Sequence, residues 1–113
     1  MASQYKRLLA PTTLTASMQP PLDLIFDAGA FQTIDVEIRV LKAGSAGKIK
    51  LQHAATGDEP DSWIDLSSAT ADLDTAGSSY LHIASFLRYI RWVGDGSVAG
   101  SPVVQVDLIA KGG

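Results

Sequence analysis

Residues Ser85 to Lys111 read SFLRYIRWVGDGSVAGSPVVQVDLIAK. Two apolar runs, rich in β-branched and aromatic residues, flank a glycine-rich break, which predicts two strands joined as a hairpin with a longer loop. In the second run Pro102, Val104, Val106, Leu108 and Ala110 fall on one face, and Gln105, Asp107 and Lys111 on the other. That two-residue period belongs to a half-buried strand and not to a helix. In the first run Phe86, Arg88, Ile90 and Trp92 share a face. A cation there would need a carboxylate partner, for which Asp65 and Asp107 are candidates.

The same alternation recurs upstream. Ile34, Val36, Ile38 and Val40 oppose Asp35, Glu37 and Arg39. Ile49, Leu51 and His53 oppose Lys50 and Gln52. Ala43-Gly44-Ser45-Ala46-Gly47 separates these two runs and predicts a second hairpin. Shorter strands are expected at Leu22–Asp27, Trp63–Leu66 and Tyr80–Ala84, with Ser67–Ser79 as a long surface connection. The expectation is an all-β chain: one antiparallel β-sandwich of seven to eight strands, jelly-roll or immunoglobulin-like, over residues 22–113. Residues 1–21 combine Thr, Ser and the Pro20-Pro21 pair with apolar Leu8, Leu9, Leu14 and Met18. They read as an irregular N-terminal arm whose leucines lie on the sandwich or on a neighbouring subunit.

Composition bounds the function. One hundred and thirteen residues suit one domain, and the absence of cysteine removes disulfides and thiolate metal sites. A net charge of −3 makes no electrostatic case for nucleic acid or an anionic membrane. No apolar run is long enough for a transmembrane helix or the core of a signal peptide, so synthesis in the cytoplasm is expected. Six acids and no Lys or Arg lie between Leu51 and Leu87. That segregation suggests either head-to-tail docking of copies or, more simply, solvated loop tips.

Few groupings suggest chemistry. Asp58, Glu59 and Asp61 offer hard oxygen ligands in one loop, but their spacing fits no calcium loop, and a solvated turn is the favoured reading. His53 and His82 are the only imidazoles and read as unrelated strand residues rather than a shared metal site. GDGSVAG sits between strands and not before a helix, so it offers no phosphate cradle. Trp63, Tyr80, Tyr89 and Trp92, with Arg88 and Arg91 as donors, would make a platform for sugar rings if they were exposed, although most strand aromatics are core. No catalytic, cofactor or metal residues are expected.

The segment LQHAATGDEPDSWIDL, followed by FLRYIRW, a glycine-rich turn and VVQVDLI, carries a resemblance over about Phe31 to Lys111. It resembles small β-sandwich structural proteins of tailed phages and prophage-like particles, and more loosely discoidin-like sugar-binding modules. The first resemblance implies a non-enzymatic virion or particle component present in many copies, such as a decoration, head or tail-associated subunit. It would dock on itself or on a larger capsid, tail or shell protein. Leu8, Leu9, Leu14, Trp63, Asp58, Glu59, Asp61, Arg88 and Arg91 are the candidate interaction residues. The alternative is a carbohydrate-binding module using exposed aromatics. A small cupin-like enzyme would need more His and Glu ligands than this chain has.

Overall fold

The computed structural model describes residues 3–18, 25–56 and 63–112, with Ser67 and Ser68 described by their backbone alone. Among them are eight strands: β1 (Ser3–Thr13), β2 (Phe26–Asp27), β3 (Thr33–Lys42), β4 (Lys48–Ala54), β5 (Ile64–Asp72), β6 (Gly77–Ile83), β7 (Tyr89–Gly94) and β8 (Val103–Lys111). They form two four-stranded antiparallel sheets, ordered β1-β8-β3-β6 and β2-β7-β4-β5. The all-β sandwich expected from the alternation is what the chain forms.

The long strands follow their sequence pattern. Ile34, Val36 and Ile38 on β3, and Val104, Val106, Leu108 and Ala110 on β8, are fully buried. Their alternate neighbours face outward. From the second sheet Ile49, Leu51, Ile90 and Trp92 meet them in one core. Trp92 is the largest fully buried side chain, and its indole N–H donates to the Leu8 carbonyl across the two sheets at 3.1 Å. Leu8 lies in a register shift between Arg7 and Leu9 on β1. Such a bulge takes one residue out of the ladder, which leaves its carbonyl for another donor.

Residues 3–13 are a strand and not part of an irregular arm. Ser3–Thr13 pairs along β8, from Ser3 opposite Lys111 to Thr13 opposite Val103, with two register shifts. Leu8, Leu9 and Leu14 are buried in the core of their own chain. The threonines and the Pro20-Pro21 pair argue against a helix but not against a bulged edge strand, where Pro11, lacking an N–H, is tolerated. The expected docking role of these leucines on a neighbour is therefore not available to them.

Both predicted hairpins are something else. β3 and β8 belong to one sheet, β4 and β7 to the other. The glycine-rich segments after β3 and after β7 thus carry the chain between sheets. Among the strands described, β4 and β5 alone are both consecutive and paired. The two crossings meet backbone to backbone: Ser45 N–H donates to Ala99 O at 2.9 Å, and Ala99 N–H to Ala46 O at 3.1 Å. That approach explains the glycines. Gly47 (φ 103°) and Gly100 (φ 83°) adopt left-handed backbone, and a Cβ on either would collide with Val98 or Ser45.

β5 and β6 are longer than their sequences suggested. Leu66, Ala69, Ala71 and Leu73 are buried. The register shift opposite Lys50 and Gln52 breaks the period between Leu66 and Ala69, so the run did not read as one strand. β7 begins at Tyr89, after Arg88, which is exposed and does not share the buried face of Ile90 and Trp92.

Replacing Trp92 with Ala should cost about 3–5 kcal/mol, the scale of a large aromatic lost from a core. Trp92→Phe should cost about 1–3 kcal/mol, because the Leu8 carbonyl is left buried without its donor. Val36→Asp should be as severe as Trp92→Ala, whereas Glu37→Lys, on the outer face, should cost under about 1 kcal/mol. Urea denaturation of the four variants checks this order. Equal loss from Val36→Asp and Glu37→Lys would mean that β3 is buried on both faces.

Candidate functional site

Strand pairing assembles two polar surfaces, one on the outer face of each sheet. On the β1-β8-β3-β6 sheet two rows cross all four strands. One row is Tyr5, Ile109, Asp35 and His82; the next is Arg7, Asp107, Glu37 and Tyr80. The second row, read backwards, has the character of the first: a tyrosine on the edge strand, then a central pair containing an aspartate, then a nitrogen base. Each tyrosine reaches diagonally to the aspartate of the other row. Tyr5 donates its hydroxyl to Asp107 at 2.6 Å, and Tyr80 to Asp35 at 2.9 Å.

Each aspartate is held from several sides. Asp35 takes Lys111 Nζ at 2.7 Å and lies 2.6 Å from His82 Nδ1. Asp107 accepts from Arg7 Nε at 2.9 Å and Gln105 Nε2 at 2.7 Å. The Asp35 side chain is only 10 % exposed and that of Asp107 16 %, whereas Tyr5 is 58 % exposed and Tyr80 67 %. The carboxylates are sunk and the rings stand proud. Between them, over Ile109 and Glu37, lies a cleft of about 340 Å³.

Protonation follows from these contacts. Lys111 first, and His82 with it, hold the Asp35 carboxyl far below the usual carboxylate range. Partial burial pushes Asp107 up, but the hydrogen bonds from Tyr5, Gln105 and Arg7 together outweigh it and leave it below its ordinary value. The hydroxyls of Tyr5 and Tyr80 are raised by the carboxylates to which they donate. Near neutral pH both aspartates are therefore ionised and both tyrosines protonated. The arrangement fixes ring positions; it does not poise a proton donor or a nucleophile.

The second surface lies on the β2-β7-β4-β5 sheet and unites two residues singled out in the sequence. The Arg91 guanidinium stacks over the Trp63 ring, 4.4 Å from its centroid. Arg91 also donates twice to Gln52 Oε1, at 2.9 and 2.7 Å. Gln52 in turn donates to Asp65 at 2.9 Å, and Lys50 pairs with the other oxygen of Asp65 at 3.0 Å. Arg88 is elsewhere. Its partner is neither Asp65 nor Asp107 but Asp27, met at 3.1 and 3.0 Å, and it also lies over the Tyr89 ring.

The acidic stretch does not remain segregated where it is described. Asp65 and Asp72 on β5 lie beside Lys50 and Lys48 on β4. Asp58, Glu59 and Asp61 lie outside the described residues. His53 accepts from the Leu87 N–H on one sheet, while His82 meets Asp35 on the other, so the two do not share a ligand. Among the described residues no three of His, Asp and Glu come together as a metal site. Trp92, buried, cannot offer a platform. The sequence reading missed Tyr5, Asp35, Asp107 and Lys111 as a group; the signal was polar residues at every second position of β3 and β8, which does not reveal strand order.

Removing the Asp35 charge tests the coupling in this network. A carboxyl whose pKa is lowered on folding stabilises fully above its unfolded value of about 3.9, and that contribution fades as pH falls through the folded value. The wild-type protein should therefore lose more thermal stability between pH 5 and pH 2 than Asp35→Asn, which should be the less stable of the two at pH 7. Parallel pH profiles in calorimetry would rule the coupling out.

No protein-family model matches the chain, and no curated protein matches it. Solved structures do. The chain is similar to the crystal structure of SPBc2 prophage-derived protein YomS, with a TM-score of 0.58 at 12 % identity over 96 % of this chain and 92 % of that one. It is more loosely similar to a structure of Bacillus endospore appendages, described as a family of disulfide-linked pili, with a TM-score of 0.49 at 13 % identity over 97 % and 86 %. The likeness to YomS is one of fold.

Proposed function

We propose that this chain is a non-enzymatic structural protein that works in many copies, as a component of a virion or a similar particle. The observation that carries the reading is the state of its sheet edges. An open edge is a template for another strand, and proteins that stay single blunt it with charge, proline, bulges or shortness. β1 has Lys6, Arg7, Pro11 and two register shifts. β5 has Asp65, Asp72 and a register shift, and β2 is two residues long. β6, Gly77-Ser-Ser-Tyr-Leu-His-Ile83, has no Lys, Arg, Asp, Glu or proline and pairs with β3 over seven residues without a break. Among the described residues its outer edge carries no strand.

Its occupant, on this reading, is β6 of a second copy, antiparallel across a two-fold axis. Such a contact is self-complementary by symmetry, and a strand without Lys, Arg, Asp or Glu brings none of these charges against its own copy. Leu81 and Ile83, packed against the core but only partly buried, would gain cover from the partner. Two further points support the wider reading. The strand order is the one we assign to a jelly roll, an arrangement frequent in viral capsid proteins. The likeness to a prophage-derived protein points the same way.

A lysine on β6 should break the contact. Ser79→Lys should lower the solution mass, measured by light scattering, towards that of a monomer while leaving far-ultraviolet dichroism unchanged. Thr70→Lys, on the already guarded β5 edge, should change neither. A wild-type protein that is monomeric at high concentration, or an unchanged assembly in Ser79→Lys, would overturn the β6 contact.

A further inference from the structure

The geometry points to the Tyr5–Tyr80 cleft as a binding site for a neutral oligosaccharide, separate from the β6 edge and from any assembly made there. Three features of the cleft identify the ligand class.

The rings are exposed yet held. An exposed tyrosine on a solvated sheet face has no need of its hydroxyl; here each hydroxyl is tied to a sunken carboxylate, itself fixed by a base on a neighbouring strand. The side-chain ordering that binding normally costs is already met in the unliganded protein. Pre-set aromatic surface is what a ligand with flat C–H faces requires.

The face is also balanced in charge. Asp107, Asp35 and Glu37 are offset by Arg7, Lys111 and Arg39, each within an ion pair. A charged ligand would have to displace one of these partners. An uncharged ligand would displace none, yet still finds carboxylate lone pairs and the tyrosine hydroxyls as hydrogen-bonding groups. Hydroxyls that both donate and accept suit such a mixture.

Spacing sets the size. Tyr5 and Tyr80 lie on the two edge strands, three inter-strand spacings apart, about 14 Å at the backbone. Ile109, 41 % exposed, gives the floor an apolar spot between them. The two rings lean inward from those edges, their hydroxyls reaching Asp107 and Asp35 on the adjacent central strands, so a short chain of sugar rings lying across the strands would meet both.

The experiment is a glycan array, followed by NMR titration of the isotope-labelled protein with the neutral di- to tetrasaccharides that score. Binding in the millimolar range or tighter is expected, with shifts at the amides of Tyr5, Glu37, Tyr80 and Ile109. Tyr5→Ala and Tyr80→Ala should each weaken it by roughly tenfold, the scale of one lost aromatic contact. Tyr80→Phe, which keeps the ring but not its tie to Asp35, should fall between. The solution mass should not change in Tyr5→Ala, on β1 at the other edge of the sheet, which separates this site from the β6 contact. The proposal fails if no neutral glycan binds, or if binding survives both alanine variants and maps instead to Trp63 and Arg91. It fails also if the same amides shift with protein concentration rather than with sugar, since the face would then be covered by another copy.

Discussion

The hydrogen bond from the Trp92 indole to the Leu8 carbonyl joins the two sheets at their centre. It ties a strand near the end of the chain to one at its beginning, and it is made in the driest part of the molecule. A buried indole without an acceptor is costly. The β1 bulge supplies that acceptor, and the same bulge buries both Leu8 and Leu9 instead of alternating them. An apparent irregularity in β1 is thus the feature that lets the large side chain of β7 fit between the sheets. β1 in turn is one of the two neighbours of β8, so the bond also sets where the outer face of that sheet begins.

Because nearly every step from one described strand to the next crosses between sheets, the fold depends on contacts far apart in sequence. The crossings after β3 and β7 are held by each other, through backbone hydrogen bonds between residues 45–46 and 99. Small residues there allow the two chains to touch, and no side chain could take their place. This explains how loops that look alike to a hairpin can do different work. A hairpin satisfies its own backbone groups; these two loops satisfy one another.

Charge obeys the same long-range logic. Along the chain the acids from Asp58 to Asp74 stand apart from the bases. In the fold Asp65 and Asp72 lie beside β4 lysines, and Asp35 and Asp107 are neutralised by Lys111 and Arg7 from strands at the opposite end of the sequence. What remains on the β1-β8-β3-β6 face is not a charged patch but a neutral surface with two fixed aromatic rings. Such a surface is suited to recognition. Its carboxylates are too firmly paired to exchange protons near neutral pH.

The sequence by itself determined which residues of the long strands face inward. Alternation in β3, β4 and β8 is a local property of an extended backbone half covered by a core, and Ile34, Val36, Val104 and Leu108 could be assigned on that ground. It determined the fold class for the same reason. It did not determine that Ser3–Thr13 is a strand, because bulges break the period that marks one, nor that Leu66, Ala69 and Ala71 belong to a single strand. Above all it left open which strands are neighbours. Periodicity records the face of each residue and is silent about the strand alongside. Tyr5 beside Asp107, Tyr80 beside Asp35 and Arg91 beside Trp63 are therefore decisions of the tertiary structure alone. So is the edge position of β6 among the described strands, since a strand becomes an edge only through the order in which the others pack.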